Sequence, residues 1–418
     1  MKKRNTQKQG MGIILCVMIL AFMAAPAAFA SGHGYARNII FMVPDGMGLS
    51  NVTAARIFVN GIAGEPLFME QLDRVGYQRT YSRNQTITDS APAASAWACG
   101  QKFNDGEICF HAEGEANPPT ILELAKRTGK ATGLVATSTI THATPAAFGA
   151  HVQKRACEYE IGRQYIMETQ PDVILGGGFN KFSAAGYNAA CGVNAGDLTQ
   201  LAVSYGYKYV NSRDQLLSAA SDGRRHQVSK VLGLFSLEGM TPECQRADTP
   251  YGNPYSAESL QCTVTPVVTT EPRLSEMTKA ALNILDNDKD GFFLVVEGSQ
   301  IDWANHDNAF EYQLGESLAF DDAVKTVLDW MNEKPRRKHE TLVIVVADHD
   351  CGGFAVNGPY GAGKLVTKGK IVPGWTSKDH TGVDTIIWSQ GPHSEKLAKG
   401  ALENTYLYSV MKEALRIF

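Results

Sequence analysis

The sequence predicts an α/β fold, a three-layer sandwich with a largely parallel central sheet flanked by helices. Three observations carry that expectation. Short apolar runs recur without polar alternation: NIIFMV at 38–43, FFLVV at 292–296 and LVIVVA at 342–347. Such runs suit strands buried on both faces. Helical periodicities lie between them. Polar clusters follow almost every run, and open α/β sheets build their sites at strand carboxyl ends.

Taken in chain order, residues 1–30 read as a removable leader. Lys2, Lys3, Arg4 and Lys8 precede an apolar stretch from Met11 to Ala25, and Ala28-Phe29-Ala30 offers the small residues of a cleavage site. The apolar stretch is short for a membrane span. Residues 31–418 are expected to form one catalytic domain. Its strands include TGLVA at 132–136, Val173 to Leu175 and TIIW at 385–388. Leu274, Met277, Ala281, Ile284 and Leu285 mark one helix; Phe320, Ala323, Val324, Val327, Leu328 and Met331 mark another. The stretch 180–273 shows weak periodicity and reads as peripheral insertions.

The chain has 39 basic and 43 acidic residues, net −4, and the leader holds four of the bases and none of the acids. An acidic chain has no general attraction for nucleic acid or anionic membranes, and no nucleic-acid-binding module is apparent. Export permits disulfides. Beyond Cys16, the pairs Cys99/Cys109 and Cys244/Cys262 are near in sequence, with Cys157/Cys191 remaining; this leaves one thiol over, with Cys351 the candidate. Connectivity cannot be read from spacing.

The residues that carry chemistry sit after the strands. Asp302 and His306 are four apart, so a helix presents both on one face. Asp348 and His349 follow one strand and Asp45 another, while His380 precedes the last. Three carboxylates and three imidazoles suffice for two zinc sites with open positions. Glu297 and Thr144 are harder oxygen donors, suited to magnesium. Any one of these, alone, reads as a cap or a loop residue; the grouping carries the argument. Ser90 opens a run of small residues, where a helix N-terminus would favour a phosphate and a metal could activate the hydroxyl. Alone it reads as an N-cap.

Six segments together resemble the alkaline phosphatase family: PDGMG at 44–48, TDSA at 88–91, ATPAA at 143–147 with AHVQKR at 150–155, EGSQIDWANH at 297–306, ADHD at 347–350, and HTG at 380–382. They are spread over nearly the whole chain, in family order. The resemblance implies an alkaline-phosphatase-like fold and hydrolysis of small phosphate monoesters through a phosphoserine on Ser90. It implies one zinc on Asp302, His306 and His380, and a second on Asp45, Asp348 and His349. It also implies a magnesium on Asp45, Thr144 and Glu297. Arg155 would clamp two phosphate oxygens. An exported, periplasmic or secreted homodimer is implied as well. The chain departs from the enterobacterial pattern at His142, where that branch has Asp, and at Trp303, where it has Lys. Phosphate should therefore bind more weakly. His142 is a possible third-site ligand, with cobalt or zinc able to replace magnesium there.

Three patterns are decoys. Asp286, Asp288, Asp290, Gly291 and Glu297 fit a calcium loop formally, but a buried strand occupies its second half. Gly358, Gly363 and Lys364 approximate a phosphate loop, but Leu365 stands where Ser or Thr is needed. Arg336, Arg337, Lys338 and His339 read as a solvated charge cluster. A sulfatase is disfavoured because Ala94 replaces its Arg. A phosphodiesterase of the same superfamily, or an inactive exported protein that binds metal or phosphate, would also use these donor types.

Overall fold

The computed structural model describes residues 34–111, 116–227, 229–250, 265–358 and 371–417. The leader, Cys16, Cys262, Gly363, Lys364 and Leu365 lie outside the described residues. The central strands are β1 (Asn38–Pro44), β2 (Arg74–Arg79), β3 (Ala131–Thr139), β4 (Val173–Gly177), β5 (Lys208–Val210), β6 (Val231–Leu234), β7 (Phe292–Gly298) and β8 (Thr341–Val346), with two further strands, Thr385–Gln390 and Leu402–Glu403. Across the ten-stranded sheet the order is Leu402–Glu403, β2, Thr385–Gln390, β8, β1, β7, β3, β4, β6, β5.

Every neighbouring pair is parallel except those of Thr385–Gln390, which runs against both β2 and β8. The TIIW run therefore differs from the parallel strands it resembles in sequence. The difference matters for the site. Residues before an antiparallel strand emerge at the same edge as residues after parallel ones, so His380 arrives beside the carboxyl ends.

The unbroken apolar runs have a direct cause. β1 sends Ile39, Phe41 and Val43 to one core and Ile40 and Met42 to the other. Both faces are covered, so neither set of alternating positions can be polar. Helices Ser90–Cys99, Ile121–Arg127, Ala143–Gly149 and Thr405–Ala414 cover the first face. Helices Leu274–Leu285 and Phe310–Asn332 cover the second, the latter extending the predicted stripe at both ends.

The weakly periodic stretch 180–273 supplies β5 and β6, the far edge of the sheet. These strands have three and four residues, too few to show a period. Segment 336–339 is helical within Pro335–Glu340, and Arg337 is not simply solvated. Its guanidinium lies 4.5 Å over the Trp330 ring and bonds Asp286 at 2.6 Å. Disulfides join Cys99 to Cys109 and Cys157 to Cys191, while Cys351 is free and buried. Among the described residues no helix is long and apolar enough to cross a membrane.

Candidate active site

The sequence-predicted residues meet at the carboxyl edge of the sheet. Asp45 follows β1, Glu297 lies within the end of β7, and Asp348 and His349 follow β8. Asp302 and His306 share helix Gln300–His306, one turn apart. Thr144 is in helix Ala143–Gly149 with His142 as its N-cap. Ser90 is the first residue of its helix, with Asp89 as N-cap.

The donors form three groups, two of which share Asp45, each with ligand atoms mutually within 4.8 Å: Asp302, His306, Cys351 and His380; Asp45, Asp348 and His349; and Asp45, His142 and Glu297. His306 Nε2 faces His380 Nε2 at 3.1 Å. The two rings place Nδ1 against the carbonyls of Lys378 (2.5 Å) and Thr88 (2.8 Å). A carbonyl only accepts, so Nδ1 carries a proton in both rings, and it is Nε2 that faces the cluster. Close approach also explains Gly46: its φ is +68°, and a Cβ there would lie 2.7 Å from Asp302 Oδ1.

Ser90 Oγ lies 3.2 Å from His349 Nε2. That same nitrogen is 3.0 Å from Asp348 Oδ2 and 3.8 Å from Asp45 Oδ1. In a Ser-His-Asp relay the acid bonds the other ring nitrogen. Here His349 Nδ1 has no partner, so the arrangement is not a relay. Three oxygens around one imidazole nitrogen form the donor set of a cation site.

Electrostatics points the same way. Burial, then Asp348, Asp302 and Glu297, push Asp45 well above the usual carboxylate range. Burial raises Glu297 to about 7. Burial opposes ionisation of Asp302, yet the imidazoles of His306 and His380, 3.4 and 3.5 Å away, prevail and hold it well below its usual value. Burial also works against charge on His380, but Asp302 raises it to about 9. Both Asp45 oxygens, Thr144 Oγ1, Glu297 Oε1, Asp302 Oδ1 and Asp348 Oδ2 are buried without hydrogen-bond partners. Buried carboxylates without donors are costly unless paired or bound to metal. The residues fit divalent cations: N and O donors occur in all three groups, with the Thr144 hydroxyl beside Glu297 in the third.

Arg155 donates to Asp89 and lies 2.9 Å from His142 Nε2. Burial, then Arg155, lower His142 to about 3, so this ring is neutral. The His142 ring meets Trp303 edge-on at 5.9 Å. Trp303 packs on Gly239, where a Cβ would lie 2.5 Å from the indole.

Two residues of the site carry roles that their sequence context does not announce. Asp89 holds Arg155 and accepts from Gly106 N–H at 3.0 Å; its place beside Ser90 was the available signal. Cys351 joins the Asp302 group, and only its odd place in the cysteine count set it apart.

Comparisons with known proteins point to one family. The Alkaline phosphatase family model matches residues 36–370. A streptomycin-6-phosphate phosphatase of Streptomyces griseus is 35% identical, covering 97% of this chain and 96% of the relative. Alkaline phosphatase 3 of Bacillus subtilis is 31% identical, covering 91% and 89%. An alkaline phosphatase from the Antarctic bacterium TAB5 superposes with a TM-score of 0.72 at 28% identity, covering 92% of this chain and 98% of that one. A variant of that neighbour is described with Mg bound in its M3 site. On this family match, which spans most of the chain, the protein belongs to the alkaline phosphatase family.

Proposed function

We propose that this chain hydrolyses phosphate monoesters through a phosphoserine on Ser90, using two zinc ions and one magnesium ion. The observation that carries the reading is Ser90 Oγ at a helix N-terminus, 3.2 Å from His349 Nε2, beside buried carboxylates that lack donors. Asp302, His306 and His380 would hold one zinc, and Asp45, Asp348 and His349 the other. Asp45, Thr144 and Glu297 would hold magnesium, with His142 and Trp303 beside them. When bound, such ions supply Lewis acidity and favour the ionised serine.

The chain's own groups do the rest. Ser90 Oγ forms a bond to phosphorus as the ester P–O bond breaks and the alcohol leaves with a proton. Water then attacks phosphorus, the P–Oγ bond breaks, and Ser90 regains its proton as phosphate departs. The first N–H groups of helix Ser90–Cys99 and the Arg155 guanidinium face the phosphoryl oxygens in both steps. The leader pattern and the disulfides support export. A homodimer is carried by the family resemblance.

Ser90→Ala is expected to abolish turnover of an aryl phosphate. Acid-quenched wild type should carry a phosphoryl mass on the Ser90 peptide. Full turnover by Ser90→Ala, or faster hydrolysis of a bis-aryl phosphate, would contradict the reading.

A further inference from the structure

We propose that Cys351 is a sulfur donor of the Asp302–His306–His380 centre, making that centre selective for thiophilic divalent cations such as Zn2+ and Cd2+. This rests on the metal-site reading above and adds a ligand to it.

The backbone places the thiol. Asp350–Cys351 and His380–Thr381 form a two-residue antiparallel ladder in which Cys351 and His380 are direct partners. Partners in such a ladder project their side chains to the same face. Cys351 N–H donates to Gly46 O at 3.1 Å, and Gly352 N–H donates to Asp379 O at 2.9 Å. The segment is therefore tied both to the loop after β1 and to the chain that carries His380. Gly352 (φ +75°) turns the backbone immediately afterwards.

The distances suit a common ion. Cys351 Sγ, a carboxylate oxygen of Asp302 and ring nitrogens of His306 and His380 lie mutually within 4.8 Å. A tetrahedral zinc, with sulfur at about 2.3 Å and nitrogen or oxygen at about 2.0–2.2 Å, spreads its donors over about 3.3–3.7 Å. Small movements of side chains would close the set, and the position that the reaction needs would come from expansion to five-coordination, which catalytic zinc can adopt. Further support comes from Asp302, whose Oδ1 is buried in this group with no hydrogen-bond partner, His380 Nε2 lying 3.5 Å away. Cys351 is fully buried and, among the described residues, is the one free cysteine.

The neighbouring group of Asp45, Asp348 and His349 contains no sulfur. The two centres therefore differ in softness, and a thiolate favours Zn2+ and Cd2+ over hard cations. Binding converts the thiol to thiolate and releases one proton to solvent.

The test uses the full chain, stripped by a chelator and titrated with Cd2+ or Co2+. The near-ultraviolet thiolate-to-metal band and the bound metal are measured together. The band should appear in wild type and be absent in Cys351→Ser, whose Cd2+ affinity should fall about tenfold or more. Metal uptake by wild type without the band overturns the sulfur ligand and leaves the metal centre standing. A band that persists unchanged in Cys351→Ser also overturns it. No uptake by wild type overturns the metal-site reading itself. The wild-type spectrum decides even where the variant does not fold.

Discussion

At the residue scale, the guanidinium of Arg155 is divided between Asp89 and His142. Asp89 is an N-cap that makes no side-chain cap bond, because its carboxylate serves Arg155 and Gly106 N–H instead. The helix forgoes a cap contribution of about 1 kcal/mol, and the Arg155 guanidinium gains a fixed direction. Arg155→Ala should lower kcat/KM for an aryl phosphate about 10- to 100-fold, the size of a lost charge-assisted contact. Much of the loss should appear in KM, and an unchanged KM with unchanged kcat would remove Arg155 from the site. Local segments made Ser90, Asp302, His306, Asp348 and His349 legible. The role of Asp89 was not, because its partner lies 66 positions away. The same holds for Cys351, whose neighbours His380 and Asp302 come from separate elements.

At the element scale, helix Phe310–Asn332 buries acids that are not among the candidate site residues. Glu316 is buried and accepts Glu243 N–H at 2.6 Å. Burial raises it to about 8, from 4.5 in the unfolded chain. A carboxyl raised in the fold contributes stability that is complete below the unfolded value and lost as pH rises to the folded one. Glu316 should thus remove about 1 kcal/mol per pH unit between about pH 5 and 8. Glu316→Gln keeps an acceptor but cannot ionise. Chemical denaturation of both proteins across that range should give a difference that grows with pH, and parallel curves would count against it. Strand identity was legible here, but direction was not. TIIW at 385–388 shares the composition of its parallel neighbours because burial on both faces sets composition, whereas pairing with β2 and β8 sets direction. β5 and β6 were too short to display any period.

At the scale of the whole molecule, two apolar cores clamp a sheet whose one edge gathers charge. Asp45, Glu297, Asp302 and Asp348 are all at most 5% exposed. Asp302 and Asp348 have imidazole partners, neither Asp45 oxygen has a hydrogen-bond partner, and Arg155 is already engaged by Asp89; ionising such buried groups costs several kcal/mol each. Divalent cations would offset that cost, so the fold and the proposed site would share one requirement. Chelation should then lower the melting temperature as well as activity. An ion present at 1,000 times its Kd contributes about 4 kcal/mol. The convergence was legible because polar clusters end successive strands; the distances needed the fold. The most direct test is anomalous scattering at the zinc edge from crystals of the active, zinc-loaded protein. Two strong peaks are expected, one among Asp302, His306 and His380 and one among Asp45, Asp348 and His349. Fully active protein with no peak among these side chains would contradict the two-zinc centre.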